Sequence, residues 1–588
     1  MTVRIATKAC TAILFAAFLA REPHAQGCES SHEHETAEQR QVAGKRICWY
    51  RGDRDPGRLE SVRLLAINDF HGNLSVGKKV AGRPVGSAPV LAAYLRQASE
   101  GREDATFIVH AGDHVGASPP VSALLQDEPS IKFLNLMANR NCSEYFRGNP
   151  FCNIVGTPGN HEFDEGKDEL LRLLYGGNHA KGPFLDKRWR GAVYPMISAN
   201  VVRTGSGKSL LPPYSIKYSH GIPIAFIGAV LKATPTIVTP TGVEGLDFLD
   251  EAEAINKQAA YLRRLGVRAM VVLIHQGGLQ ASYAGPTDSA AAQVTGEIRA
   301  IIGNLSDDID VVVSGHTHAF TNAIVANKNG KEMLVTQAFS AGTAFGQVDL
   351  EIDRKTRDVV GMSGQIITTW GDSGAGLAPD PAVLSMVEKA EAAVAPLVNR
   401  VIGTATADIL AAQNAAGESA LGDLLADAQR SSVNADFGFM NPGGIRADLY
   451  AGTITWGALF TIQPFANDVV KMQLTGAQVY TLLNQQWVGQ TSPRMLQVSG
   501  LTYTWDNSLP VGSKVTEVRQ AGLPIDLAGT YTVACNSFIA AGGDNFLVLK
   551  EGAEKVVGPV DLDALIGFVS GLTQPIQYSV DGRIVRLN

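Results

Sequence analysis

The sequence predicts a two-part α/β protein: an N-terminal layered αββα sandwich, a connecting helix, and a second, C-terminal α/β domain. Three observations carry this reading. Short apolar runs of strand character alternate with helical patterns from Ser61 onward. Long crossovers and hairpins both join these runs, as in layered sheets with helices outside. Gly371 to Pro381 is a Gly/Pro/Asp-rich break, after which Ala382 to Asn399 is Ala-rich with helical periodicity and α/β alternation resumes near Val401.

The 588 residues, 45% hydrophobic and 18% charged, exceed the usual size of one domain. The formal net charge is -7 and there is no Lys/Arg run, which argues against a grip on nucleic-acid polymers through a basic patch.

Arg4 and Lys8 precede an apolar run, Ala9 to Ala20, that is too short to span a bilayer but fits a secretory signal. Cleavage near Ala25 is expected, giving a leader at 1–25; the alternative is an apolar helix of the mature chain. Export to a periplasmic or extracellular location follows from the first reading. Ala25-Gln26-Gly27-Cys28 is faintly like a lipoprotein cleavage site. Residues 26–60 read as an exposed segment containing Arg51-Gly52-Asp53, and no later stretch is apolar enough to cross a membrane.

In an oxidising compartment Cys142 and Cys152, which bracket a short polar loop, are expected to pair. Cys28 with Cys48 is a second candidate pair that would exclude lipidation. Cys535 sits in a strand-like run and reads as a buried free thiol. No Cys-x-x-Cys occurs, so a structural zinc knot is not indicated.

In chain order, Val62 to Ile67 is a strand ending in Asn68-Asp69-Phe70-His71-Gly72, and Ala88 to Ala98 is a helix. Phe107 to Val109 is a strand ending in His110-Ala111-Gly112-Asp113. Asn153 to Val155 enters the turn Gly156-Thr157-Pro158-Gly159-Asn160-His161-Glu162-Phe163-Asp164. Met196 to Val201 and a hairpin over Ser215 to Val230 add strands, and Ala252 to Leu265 is a helix. Ala269 to Ile274 ends in His275-Gln276-Gly277-Gly278, and Ile309 to Val313 ends in Ser314-Gly315-His316-Thr317-His318. Met333 to Thr336 and Gln347 to Ile352 close the set. In the second domain Ser419 to Arg430 is a helix, with loops at Asn441 to Arg446 and Phe538 to Asp544.

Each of the five motif-bearing strands thus ends in Gly with His, Asp or Asn. In open α/β sheets ligands gather beyond the carboxyl ends of strands. One such ending is ordinary turn chemistry; five together point to a metal site. Mixed imidazole and carboxylate donors suit Zn, Mn, Fe or Co better than Mg alone, and their number matches two ions sharing a carboxylate. In the Gly156 turn, a helical continuation puts His161 and Asp164 on one face, suiting an acid/base pair beside a metal or a capped loop.

Asp69-x-His71, Gly112-Asp113, Gly159-Asn160-His161-Glu162, His275 and Gly315-His316-Thr317-His318 resemble the five blocks of the calcineurin-like metallophosphoesterases. Asn441-Pro442-Gly443-Gly444-Ile445-Arg446 and Phe538 through Asp544 resemble the substrate-binding domain of the 5′-nucleotidase family, which includes periplasmic UDP-sugar hydrolases and ecto-5′-nucleotidases. The resemblance runs from about Arg63 to the C-terminus. It implies a metallophosphoesterase domain at 61–370, a linker and helix at 371–400, and a substrate-binding domain at 401–588.

The resemblance further implies two divalent metal ions (Zn, Mn, Co or Fe, or Mg). Asp69, His71, Asp113 and His318 would hold one; Asp113, Asn160, His275 and His316 the other. His161 would be catalytic and Asp164 would orient it. His318 departs from a glutamine found in some members. Phe465 and Phe538 would sandwich a nucleobase, Asp544 would accept from ribose hydroxyls, Asn441 would lie near the base, and Arg446 would hold phosphate or ribose oxygens. Gly417 replaces an arginine common in relatives, which weakens the case for diphosphate substrates. The implied activity is hydrolysis of nucleoside 5′-monophosphates, extending to UDP-sugars, other nucleotides or 2′,3′-cyclic nucleotides. The alternatives are a non-nucleotide phosphate or sulfur ester, and a silent binding or adhesion protein. The only partner implied is a small nucleotide; the oligomeric state is not fixed.

Overall fold

The computed structural model describes residues 57–281, 285–287, 294–372, 378–490 and 492–588. The expectations for the leader, for Cys28 and Cys48, and for Arg51-Gly52-Asp53 lie outside the described residues.

Two six-stranded sheets build the N-terminal sandwich. The first runs Gly285–Pro286, Val359–Thr368, Ala344–Asp353, Leu59–Ile67, Thr106–Ala111, Ile154–Thr157. The second runs Phe320–Ala326, Glu332–Ala338, Val311–Ser314, Ala269–His275, Ile222–Val230, Tyr214–Ser219. The motif-bearing strands are parallel within each sheet, with Leu65 opposite Ile108, Ile108 opposite Ile154, and Val271 opposite Val311. Parallel pairing gathers their carboxyl ends on one edge.

Side-chain alternation sorts each strand between two apolar layers. Val62, Leu64, Val109, Val155, Phe226, Val271 and Val348 fill the space between the sheets. Leu65, Ile67, Ile108 and Ile154 face outward onto the helices Ala88–Ser99, Glu128–Met137 and Lys167–Tyr175. On the other side Ile227, Met270, Val272 and Val312 meet Ile255, Leu262, Ile298 and Ile302 of the helices Glu251–Arg264 and Glu297–Asn304. Both faces are covered, so these strands read as continuous apolar runs. The layering is αββα.

The connecting helix spans Pro381–Val398. Its N-cap Asp380 accepts from the backbone N–H of Ala382 and Val383, each at 3.0 Å, and Pro381 takes the first helical position. Ala390 and Val394 seat it against Leu125. Beyond it, a five-stranded sheet runs Gln497–Ser499, Phe437–Met440, Thr530–Asn536, Asp468–Thr475, Ala553–Val560. The helix Ala420–Ser432, capped by Ser419, packs on it.

Two expectations need correction. Met196 to Val201 is not one strand: Met196 makes a single bridge to Gly156, and the strand Val201–Arg203 begins later. Between them the buried Asn200 donates its side-chain amide to the Val230 and Leu249 carbonyls, fixing the segment as a loop. The segment expected to be exposed through residue 60 ends earlier, because the strand Leu59–Ile67 has already begun and Glu60 is buried. Cys142 and Cys152 form a disulfide, and Cys535 is a buried free thiol. No described helix is long and apolar enough to cross a membrane.

Candidate active site

The carboxyl edges of both sheets converge on one cluster. Asp69 and His71 follow Leu59–Ile67, Asp113 follows Thr106–Ala111, and Asn160 follows Ile154–Thr157. His275 ends its strand, and His316 and His318 follow Val311–Ser314. Asp69, His71, Asp113, Asn160 and His275 are all buried.

The loops hold this cluster in an unusual backbone state. Asp69, His71, Asp113, His316 and His318 have φ of 48°, 47°, 47°, 78° and 50°. Left-handed non-glycine residues are uncommon, Asp and His among the most tolerant, and such strain gathers at functional sites. Glu162 supplies part of the restraint. Its carboxylate accepts from the backbone N–H of Asp113 (2.9 Å), His114 (2.8 Å) and Gly159 (2.5 Å). It thereby ties the Asp113 loop to the Asn160 turn. A Cβ on Gly159 would lie 2.1 Å from Asp113 Oδ1, so only glycine permits this approach. Sequence reasoning assigns Glu162 no role, although it stands inside the Gly-Asn-His-Glu block.

The donor chemistry fits metal ions. His71 Nδ1 lies 2.8 Å from the Gly116 carbonyl and His275 Nδ1 2.7 Å from the Ala111 carbonyl. With Nδ1 turned to a backbone carbonyl, each ring points Nε2 into the cluster, where the neutral form offers a lone pair. His71 Nε2 is 3.0 Å from His318 Nε2, and His318 Nε2 is 3.5 Å from Asp69 Oδ1. His275 Nε2 is 3.0 Å from Asp113 Oδ2 and 3.2 Å from Asn160 Oδ1. Imidazole nitrogens and carboxylates crowded in a buried space suit a compensating cation. Burial pushes the Asp69 carboxyl up to about 7 and holds His316 and His318 down to about 3. The last two are therefore neutral at pH 7, the form that binds metal.

Within this cluster, ligand atoms lie within 4.8 Å of one another in three groups: Asp69, His71 and His318; Asp113, His275 and His316; and His71, Asp113 and His161. His161 thus stands beside the metal-ligating candidates, but its Nδ1 is spent on Asp164 Oδ2 at 2.6 Å. It occupies the one-turn 3₁₀ helix His161–Phe163, which brings Asp164 back onto its face. Burial opposes charge on His161, yet the Asp164 and Asp113 carboxylates outweigh it and raise the imidazole above its ordinary pKa. His114, next to Asp113, is buried, stacks on Phe70 at 5.1 Å and meets the Ser130 carbonyl through Nε2 at 2.9 Å.

A cavity of about 220 Å³ opens from this cluster between the two domains. Asn160, His161, Asp164 and His316 line one side; Asn441, Arg446, Phe465, Phe538 and Asp544 line the other. The five residues expected to bind substrate therefore meet the His/Asp edge in one space. Asp544 is held by Arg494 Nη1 at 2.5 Å and Asn441 Nδ2 at 2.8 Å. Arg494 also lines the cavity and was not foreseen from the sequence, where only its distant partner would have marked it. Gly417 has φ of +96°, and a Cβ there would lie 2.8 Å from the Met495 side chain. Any side chain at that position is strained as well as crowded.

Residues 62–320 match the family of calcineurin-like phosphoesterases, and residues 401–551 match the 5′-nucleotidase C-terminal domain. The cell wall protein Lmo0130 of Listeria monocytogenes is 34% identical over 550 residues, which cover 86% of this chain and 67% of that protein. The chain belongs to the 5′-nucleotidase family. Endonuclease YhcR of Bacillus subtilis is 36% identical over 533 residues, 89% of this chain, and the chain spans 41% of that relative's length. Among solved structures, a 5′-nucleotidase precursor from Thermus thermophilus has a TM-score of 0.74 and 27% identity, covering 90% of this chain and 100% of that one. The two-domain α/β architecture described above is that of the 5′-nucleotidase family.

Proposed function

We propose that the chain is a metal-dependent hydrolase of nucleoside 5′-monophosphates, with UDP-sugars, other nucleotides and 2′,3′-cyclic nucleotides as further substrates. The observation that supports this reading is the single cavity joining the His/Asp cluster to Arg446, Phe465 and Phe538. Asp69, His71, Asp113 and His318 would hold one divalent cation, and Asp113, Asn160, His275 and His316 a second. Zn, Mn, Co and Fe suit these donors best, and Mg less well. Such a pair acidifies water and clamps phosphoryl oxygens for in-line displacement.

The chain's own groups then divide the remaining work. His161, charged and aimed by Asp164, presents Nε2 to the phosphoryl group and offsets the charge it gains. Among the described residues nothing hydrogen-bonds the Arg446 guanidinium, so its fork is available to phosphate oxygens. Phe465 and Phe538 offer faces to a base, a contact worth ~1–3 kcal/mol per base and tolerant of base identity. Asp544 keeps acceptor capacity for ribose hydroxyls, because a carboxylate accepts more than the two bonds already made. An oxidising compartment outside the cytoplasm agrees with the Cys142–Cys152 disulfide.

The test is phosphate release from AMP, UDP-glucose, 2′,3′-cyclic AMP and an aryl phosphate after chelation and re-addition of Mn, Zn, Co or Mg. Metal-dependent release from AMP well above that from the aryl phosphate is expected. Equal rates would favour a non-nucleotide ester, and no release from any of them would leave a binding protein.

A further inference from the structure

Phe465 lies in the loop after the helix Trp456–Ile462 of the C-terminal domain, yet its ring reaches His161 of the N-terminal domain. The two rings are nearly parallel, 13° apart, with centroids separated by 5.7 Å. The same Phe465 ring has the Arg446 guanidinium carbon 5.9 Å from its centroid. Next to it Ala466 adopts φ of 51°, a left-handed state for a residue with a Cβ. The loop is thus bent in a way that aims one aromatic ring across the domain boundary.

The His161 imidazole has few other restraints. Its Nδ1 is tied to Asp164 Oδ2 at 2.6 Å, and the His71 ring meets it edge-on, 74° apart with centroids 5.1 Å away. A hydrogen bond at one ring atom leaves the ring free to turn about that bond. A flat partner stacked beside the ring limits that freedom.

We infer that Phe465 is a positioning residue for His161, stacking on the catalytic imidazole from the other domain, in addition to any contact it makes with a base. This rests on the proposed catalytic role of His161. It predicts a coupling that a base clamp alone does not have: a substrate without a base should still need the Phe465 ring.

The experiment compares wild type, Phe465→Leu and Phe465→Tyr on AMP and on an aryl phosphate with saturating Mn, alongside His161→Ala. Leu keeps the apolar bulk and loses the aromatic face; Tyr keeps the face. The expected result is that Phe465→Leu lowers kcat about tenfold on the aryl phosphate, equivalent to about 1.4 kcal/mol, with KM little changed. Tyr should restore most of it, and all three proteins should melt alike. Wild-type kcat on the aryl phosphate in Phe465→Leu, with loss confined to KM for AMP, would overturn the inference while leaving the nucleotidase reading intact. Full aryl phosphate turnover in His161→Ala would overturn both.

Discussion

At the scale of single residues the geometry distinguishes groups that would touch metal from groups that would hold them in place. Among the described residues the His161 side chain hydrogen-bonds Asp164 alone, while His71 and His275 turn their Nδ1 atoms to backbone carbonyls and their Nε2 atoms inward. His161→Ala should therefore cost about 10²–10⁴-fold in turnover and leave metal content near two per chain by elemental analysis. Loss of metal in that variant would move His161 into the ligand set, as its place in the third donor group allows. Glu162 tests the opposite role. Its Oε2 accepts from Asp113 and Gly159, and its Oε1 from His114. In Glu162→Gln an NH₂ must face at least one of these N–H donors. Metal affinity should fall about 10–100-fold, the usual cost of losing an outer partner of a ligand; an unchanged metal titration would show that the loops hold themselves.

At the scale of elements, the buried lysine of the strand Tyr214–Ser219 gives a stability prediction. Lys217 is 0% exposed, and its Nζ donates to the Asn149 carbonyl at 3.1 Å inside the disulfide-closed loop. Burial pushes its ammonium down to about 7. The unfolded chain binds that proton up to its ordinary pKa near 10.4, so between these values the unfolded state holds more protons than the folded one. Stability must rise with pH across that window, the penalty being complete below pH 7. Lys217→Met should then be more stable than wild type at pH 6–7, by up to about 4 kcal/mol, and the gap should close toward pH 10. A gap independent of pH in paired melting curves would put the lysine's proton elsewhere.

The same scale shows what the sequence makes legible. Strands such as Ala269–His275 and Ile222–Val230 are apolar on both faces, so their runs are unbroken and easily found. Val359–Thr368 is exposed at Val360 and carries Gly361, Ser363 and Gly364, and Phe320–Ala326 carries polar Thr321 and Asn322 near its start. Sequence reasoning misses both because their pairing along sheet neighbours, not their own composition, makes them strands. The ligand-type residues were legible because they sit directly at strand ends. Glu162 and Arg494 were not, since the Asp113 and Asp544 partners that define their roles lie 49 and 50 residues away and only folding brings them together.

For the whole molecule, the cluster joins two sheets that otherwise meet through apolar packing. Asp69, His71, Asp113 and Asn160 come from the first sheet, and His275, His316 and His318 from the second. Cations bound here would cross-link the sheets and neutralise Asp69 and Asp113, which are 0% and 1% exposed. The C-terminal domain has a separate core around Phe437, Leu482, Val498 and Tyr503 and none of these ligand candidates. Stripping metal should therefore act on one domain. A ligand held at 1,000 times its Kd stabilises the folded state by about 4 kcal/mol. For a domain of this size that corresponds to roughly 5–15 °C. Calorimetry of the chelated protein should show an N-terminal transition lowered by that amount and a C-terminal transition unmoved, with Mn or Zn restoring the first. A single transition indifferent to chelator would mean that the two sheets need no cation to stay together, and that the buried carboxylates are neutralised by protons instead.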